Sequence, residues 1–316
     1  ADAMAQAGAD LVIWGTNDAK NAAAEAQLKA HGRKVLTQKI DVADEAAVKA
    51  GMVEAVAKMG RIDNVVANAG VGGGSPSFSE FSTETYRRVL AVNLDGVFFT
   101  FREACKHMVE RAGQGDKAGG SLVVTSSLSA IDGAARNEAY ASTKGAVISM
   151  IRAIAVEHAR YGVRANAILP GWIATDMTAG AQGNDKFNDA VIKRVPMRRW
   201  GEPEDFGGMA VYLASDASRF HTGDSFLIDG GYAIFCRAGA CPRVTVSIAV
   251  RRRHRAENGR IGHDPAHQAL RPAGREAPDH AGRHGWGLLR GAGGGGVQRR
   301  RLWRAGDGGP LAGLHP

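Results

Sequence analysis

Between residues 11 and 231 short apolar runs alternate with longer helical stretches, and no segment repeats another. Strands are expected at 11–13, 34–42, 62–68, 121–127, 163–169 and 225–228, and helices at 20–30, 45–59, 83–111, 139–161 and 203–214. Strands joined by helices run parallel, and a parallel sheet must be covered on both faces, which explains why the runs are short and mostly apolar. The pattern predicts an α/β fold with a doubly wound parallel sheet. Several joints carry their own signals: Asp44 is placed to cap the helix that begins at Glu45, and Gly60 to end it. In the stretch 83–111, Leu90, Leu94, Val97, Phe101, Ala104 and Met108 recur at spacings of four and three. One unbroken helix is expected there, with that stripe turned toward the core or a partner.

Net charge misleads until it is located. The chain carries +8, yet the residues from Cys236 onward hold fifteen arginines, no lysine and five acids, and the residues before them hold slightly more acids than bases. The tail 236–316 is built of Arg, Gly, Ala, Pro and His, with one β-like run, "VTVSIAV". It reads as a disordered basic arm for nucleic acid, or as an out-of-frame or read-through product of GC-rich DNA; the second reading is preferred, and nucleic acid is not an expected partner. The organised domain is therefore expected to span 1–235. Its one cysteine, Cys105, excludes a disulfide framework and a cysteine metal cluster and suits a cytoplasmic location. His31, His107, His158 and His221 share no metal-ligand spacing, so no metal is expected. No apolar run is long enough to span a bilayer.

In "NEAYASTKGAV", Tyr140 and Lys144 stand four apart and share one helix face. A phenol with an ordinary pKa of about 10 is a poor acid or base at neutral pH, but a neighbouring ammonium favours its phenolate. Such a pair can move a proton at a carbonyl or alcohol oxygen. Ser127 ends the run "SLVVTSS", where a parallel strand opens onto a ligand crevice. Asn68, Ala69 and Gly70 follow one strand earlier and are small enough to let a flat ligand approach the backbone. Pro170 and Gly171 turn the chain after another strand, and Thr175 follows. Trp172 and Trp200 either line a substrate lid between residues 175 and 201 or serve packing, and "AGAQGNDKFNDA" within that segment reads as mobile.

Taken together, these residues make positions 1–233 resemble the short-chain dehydrogenase/reductase family. The resemblance rests on "NAG" at 68–70, Asn93 in "AVNLDGVFF", Ser127, the Tyr140 and Lys144 pair, "PGWIATDM" and the closing "IDGGY". It is to members such as 3-oxoacyl-carrier-protein reductases and glucose dehydrogenases, and it implies a Rossmann-like sheet that binds a nicotinamide dinucleotide. It further implies Tyr140 as proton donor or acceptor and Ser127 as the hydrogen bond that positions the substrate oxygen. Lys144 would bind the nicotinamide ribose and lower the tyrosine's pKa, and Asn93 would hold a water linking Lys144 to solvent. Asp41 and Val42 would flank the adenine, and Asn68, Ala69 and Gly70 the adenosine side. After Pro170 and Gly171, Ile173 and Thr175 would meet the nicotinamide amide.

The family's glycine-rich turn between its first strand and first helix has no counterpart in this sequence. Aligned on "AGADLVI", that part falls before Ala1, so a sheet lacking its first strand and phosphate loop is expected, with weak or no dinucleotide binding by the chain as it stands. The glycines at 72–74 follow a later strand and lack the spacing. An acid at the end of the first strand run would bond the ribose of NAD. Gly15, Thr16 and Asn17 supply neither that acid nor an arginine for the extra phosphate of NADP, and the reading leans to NADP(H) over NAD(H). The expected function is NAD(P)-dependent interconversion of a ketone and a secondary alcohol on a small molecule, with 3-oxoacyl thioesters, sugars and cyclic ketones as candidates by resemblance. Apolar residues on more than one side of the helix 139–161 point to a homo-oligomer, dimer or tetramer. The alternatives are a non-catalytic remnant of the fold and a nucleic-acid binder acting through its tail.

Overall fold

A computed structural model describes residues 1–235; the tail 236–316, with both of its readings, lies outside the described residues. Six strands form, each overlapping an expected run: β1 (Leu11–Gly15), β2 (Val35–Lys39), β3 (Asn64–Ala67), β4 (Gly120–Thr125), β5 (Val163–Pro170) and β6 (Ser225–Ile228). Every pairing is parallel, with Leu11 opposite Val35, Asn64 opposite Ser121, Gly120 opposite Val163 and Ala167 opposite Ser225. The helices are α1 (Asp2–Gln6), α2 (Asp18–Lys29), α3 (Glu45–Met59), α4 (Thr83–Leu90), α5 (Gly96–Gly113), α6 (Glu138–His158), α7 (Ala179–Gln182), α8 (Asp185–Arg194) and α9 (Gly207–Ala214). Asp44 caps α3 by accepting from the N–H groups of Ala46 and Ala47, and Gly60 ends it at positive φ.

Alternation along the strands builds a core on each face. Leu122 and Val124 of β4 join Ala165 and Ala167 of β5 against Phe101, Met108, Val147 and Ile151 from α5 and α6. Val123, between them in sequence, points the other way and packs with Ile168 and Leu213. Each large side chain buried in this way stabilises the fold by about 1.5–3 kcal/mol before entropy is counted. None of the described helices is long and apolar enough to cross a membrane.

The sheet consists of two ladders, β1 with β2, and β3, β4, β5 and β6 in that order. They share no strand pairing but are held in one body. Trp14 of β1 packs against the same core as Val65 and Ala67 of β3, α3 rests on α5, and α1 rests on α9. Leu11 and Gly15 bond toward β2, and Asp63 toward β4. Since alternate residues of a parallel strand bond to opposite sides, Val12, Trp14, Asn64 and Val66 direct their backbone groups to edges that no described strand pairs.

One expectation changes. The stretch 83–111 is not one helix: α4 and α5 are joined by a π turn, Ala91–Asp95. The wider turn shifts the apolar register, so Val89 rather than Leu90 is the buried residue of α4, whereas Val97, Phe101, Ala104 and Met108 keep the stripe in the core. Residues 179–190 hold α7 and the start of α8, which is capped by Asn184, whose side chain accepts from the Phe187 N–H.

Candidate active site

Parallel strands place their carboxyl ends on one side of a sheet, and three chemically active side chains gather where β4 ends. Ser127 lies two residues beyond β4 in extended backbone, and its Oγ accepts from the Ser129 N–H at 3.1 Å, which leaves its own O–H free to donate. Tyr140 stands in the first turn of α6, with Lys144 one turn further on. The Lys144 Nζ lies 5.4 Å from the centre of the tyrosine ring. It donates to the Thr125 carbonyl at 2.7 Å, while the Ser126 hydroxyl donates to the Lys144 carbonyl at 2.7 Å. The end of β4 therefore grips the lysine at both its head and its backbone.

Burial sets the electrostatics. Lys144 is 4% exposed, and loss of water lowers its pKa to about 8. Burial also pushes the Tyr140 phenol above its ordinary value, and the Ser127 hydroxyl works against that push. The direction is opposite to the lowering expected from Lys144: the phenol is itself desolvated, and that outweighs its neighbours.

Asn93 is fully buried in the π turn. Its carboxamide accepts from the Val71 N–H at 2.8 Å and donates to the Val71 carbonyl at 2.9 Å and to Thr143 Oγ1 at 3.4 Å. It thus ties the loop after β3 to α6. Asn68 accepts from the Thr125 hydroxyl at 2.9 Å and joins the ends of β3 and β4, with Ala69 exposed beside it. A Cβ on Gly70 would stand 3.5 Å from Asn93 Oδ1 and 3.6 Å from Lys144 Nζ, so the bare backbone keeps space beside the ammonium. Among the described residues Lys144 has one hydrogen-bond partner for its three donors. A buried amine with open donors and room in front of it suits a vicinal diol such as a ribose. Among the described residues no turn with the spacing of a pyrophosphate-binding glycine loop accompanies it.

The other expected contacts lie on separate loops. Asp41 is exposed and accepts from the Ala43 N–H at 2.9 Å, and Val42 packs against Gly96. Pro170 ends β5, and Gly171 passes so near Asp229 that a Cβ would come within 2.6 Å of its Cβ. Ile173 forms a parallel bridge with Gly201, and the exposed Thr175 donates its N–H to Thr178 Oγ1 at 3.1 Å.

One cluster had no signal in the sequence beyond its two tryptophans. Trp172 meets Phe187, Trp200 and Tyr232 edge to face, at centroid distances of 5.1, 5.7 and 6.3 Å. Arg194, the last residue of α8, lies 3.9 Å over the Tyr232 ring and donates to Tyr232 Oη at 3.1 Å and to Asp132 Oδ2 at 3.3 Å. Asp132 belongs to the turn that leaves Ser127, its N–H bonded to the Leu128 carbonyl at 2.9 Å.

Comparison with known proteins adds an independent finding. The family model described as enoyl-(acyl carrier protein) reductase matches residues 1–233. The 2-dehydro-3-deoxy-D-gluconate 5-dehydrogenase of Pseudoalteromonas atlantica is 35% identical over 230 residues, which are 72% of this chain and 88% of the relative. The L-rhamnose 1-dehydrogenase (NAD(P)(+)) of Azotobacter vinelandii is 35% identical over 207 residues, 65% of this chain and 78% of the relative. A solved gluconate 5-dehydrogenase from Burkholderia cenocepacia, in complex with NADP and tartrate, shares 32% identity at a TM-score of 0.69, covering 74% of this chain and 89% of that one. The parallel sheet, the site at its carboxyl edge and these matches agree, and the chain belongs to the short-chain dehydrogenase/reductase family of NAD(P)-dependent oxidoreductases.

Proposed function

We propose that this protein interconverts a secondary alcohol and a ketone on a sugar or sugar acid, with Tyr140 moving the proton. The observation that carries the reading is the grouping of Ser127, Tyr140 and Lys144 at the end of β4, with Lys144 buried and its donors open. When bound, a nicotinamide dinucleotide supplies or accepts the hydride. In the oxidation direction the substrate O–H proton goes to Tyr140 as the C–H hydride leaves; in reduction Tyr140 returns a proton to the carbonyl oxygen. Ser127 donates its free O–H to that oxygen and holds it against the phenol. The Lys144 ammonium steadies the phenolate that forms when Tyr140 gives up its proton, and its open donors hold the ribose. Asn93 keeps Val71 and Thr143 in place around them, and Asn68, Ala69 and Gly70 form the floor beside the cofactor, with Asp41 and Val42 toward the adenine and Ile173 and Thr175 toward the amide.

NADP(H) is the favoured cofactor. The residue closing β1 is Gly15, and the first acid after it, Asp18, is engaged by Lys39 at 2.7 Å. The same reading places the protein in the cytoplasm, in keeping with the free thiol of Cys105. It also pairs the outer faces of α5 and α6 with a second copy of the chain.

The test is reduction of NADP+ and of NAD+ with a panel of sugars and sugar acids. Tyr140→Phe is expected to lower kcat by about 10²–10⁴-fold while the fold, read by circular dichroism, is retained. Full activity in that variant would end the assignment of the proton to Tyr140.

A further inference from the structure

The lid and the Ser127 turn meet through a single guanidinium whose grip on its carboxylate is loose. Arg194 reaches Asp132 through one contact of 3.3 Å, with both side chains close to half exposed. Two other arginines among the described residues hold their carboxylates tightly: Arg199 takes Asp205 by two bonds of 2.7 and 2.8 Å, and Arg111 takes Asp116 by bonds of 2.9 and 2.6 Å. The usual length for such charge-assisted bonds is about 2.7–2.9 Å, and two parallel bonds are the arrangement that a planar guanidinium favours. Arg194 is thus oriented but not saturated. It lies 3.9 Å over the Tyr232 ring and donates to Tyr232 Oη, and among the described residues its one carboxylate contact is the long one to Asp132. Of the five bases in residues 185–199, Lys193 and Arg199 are paired with Asp189 and Asp205, whereas Lys186 and Arg198 have no carboxylate partner among the described residues, so part of that positive charge stays available to an anion.

We infer that Arg194 recognises a carboxylate of the substrate, which displaces Asp132 from the guanidinium when the substrate lies against Ser127. The inference rests on the reading of the protein as an alcohol–ketone oxidoreductase, and it narrows the substrate class to sugar acids over neutral sugars. Asp132 acts in this account as a stand-in that keeps the arginine aimed while the site is empty. Arg194 and Asp132 are specificity-determining residues, and the proton chemistry stays with Tyr140.

The experiment compares gluconate with glucitol, its neutral counterpart of the same chain length, on the full chain and on Arg194→Gln, Arg194→Lys and Asp132→Asn. Wild type is expected to prefer gluconate in kcat/KM. Arg194→Gln should raise the gluconate KM, so that the gluconate-to-glucitol preference falls about tenfold or more. Arg194→Lys should recover part of it, since it keeps the charge but loses the fork. Asp132→Asn should increase the preference by removing the competing carboxylate. A preference that Arg194→Gln leaves unchanged, or equal losses on both substrates, would overturn the inference and leave Arg194 a structural latch. If no substrate is turned over with either cofactor, recognition is read without turnover. Gluconate binding near Tyr232 should change the fluorescence of Trp172 and Trp200 saturably in wild type and not in Arg194→Gln. No saturable change in wild type would overturn the inference on its own.

Discussion

Lys144 carries its amine into a site that is 4% exposed, with one hydrogen bond, to the Thr125 carbonyl. Losing water favours the neutral amine and brings its pKa from 10.5 to about 8. Between those two values the unfolded chain binds more protons than the native one, so stability rises with pH across that window. Below pH 8 the penalty stands in full, up to about 3 kcal/mol, and above 10.5 it is gone. The difference in unfolding free energy between wild type and Lys144→Met, measured in denaturant at neutral pH and again near 10.5, should therefore move toward wild type by roughly that amount. A difference that stays flat would mean that the native amine is solvated. The place of Lys144 beside Tyr140 was legible, because a spacing of four on a helix puts two side chains on one face. The direction of the tyrosine's shift was not, because desolvation depends on what the rest of the chain packs around it. Arg194 and Asp132, 62 residues apart, were equally beyond reach, as no period links α8 to a turn after a strand.

Among the elements, the six strands were legible because burial on both faces leaves a compositional mark on each short run. The break between α4 and α5 was not, since the apolar spacing through 83–111 fits a continuous helix and a π turn changes the register by a single residue. Asn93 gives that break its consequence. From inside the π turn its carboxamide meets both backbone groups of Val71, so the turn acts as a clamp on the loop that carries Gly70. Asn93→Ala would leave the Val71 N–H and C=O without these partners, at a cost of about 1–3 kcal/mol for each group that stays dry. The expected outcome is a fall in unfolding free energy of about 2–4 kcal/mol, together with faster amide exchange through 69–74. Exchange rates left as in wild type would show that α6 holds the loop without the clamp.

At the scale of the whole molecule, the two ladders are joined through their helical layers, so the body depends on α3 against α5 and α1 against α9 where strand pairing does not connect them. Their parallel order was legible from the alternation of strands and helices, whereas the division into two ladders is a property of which edges meet, which no local pattern records. The same holds for the outer surface. Between α5 and α6 lies a groove of about 440 Å³ lined by Phe98, Phe101, Met150 and Ile154, of which Phe98 is 45% exposed. Apolar side chains collected on one helical face are costly in water and favour burial against another surface. A two-fold contact requires that one patch complement itself, which an apolar lining can do against its own copy, while Arg102 and Lys106 at its rim are already paired with Glu45 and Glu103 and carry no unmatched charge into the contact. Light scattering on the full chain should then give a mass at least twice that of one chain. Phe98→Glu, which sets a charge in the lining of the groove at a side chain that is 45% exposed, should shift the mass toward the monomer and leave the circular dichroism unchanged. If that variant keeps the mass of wild type, the copies associate through another surface and the groove between α5 and α6 stays open to solvent.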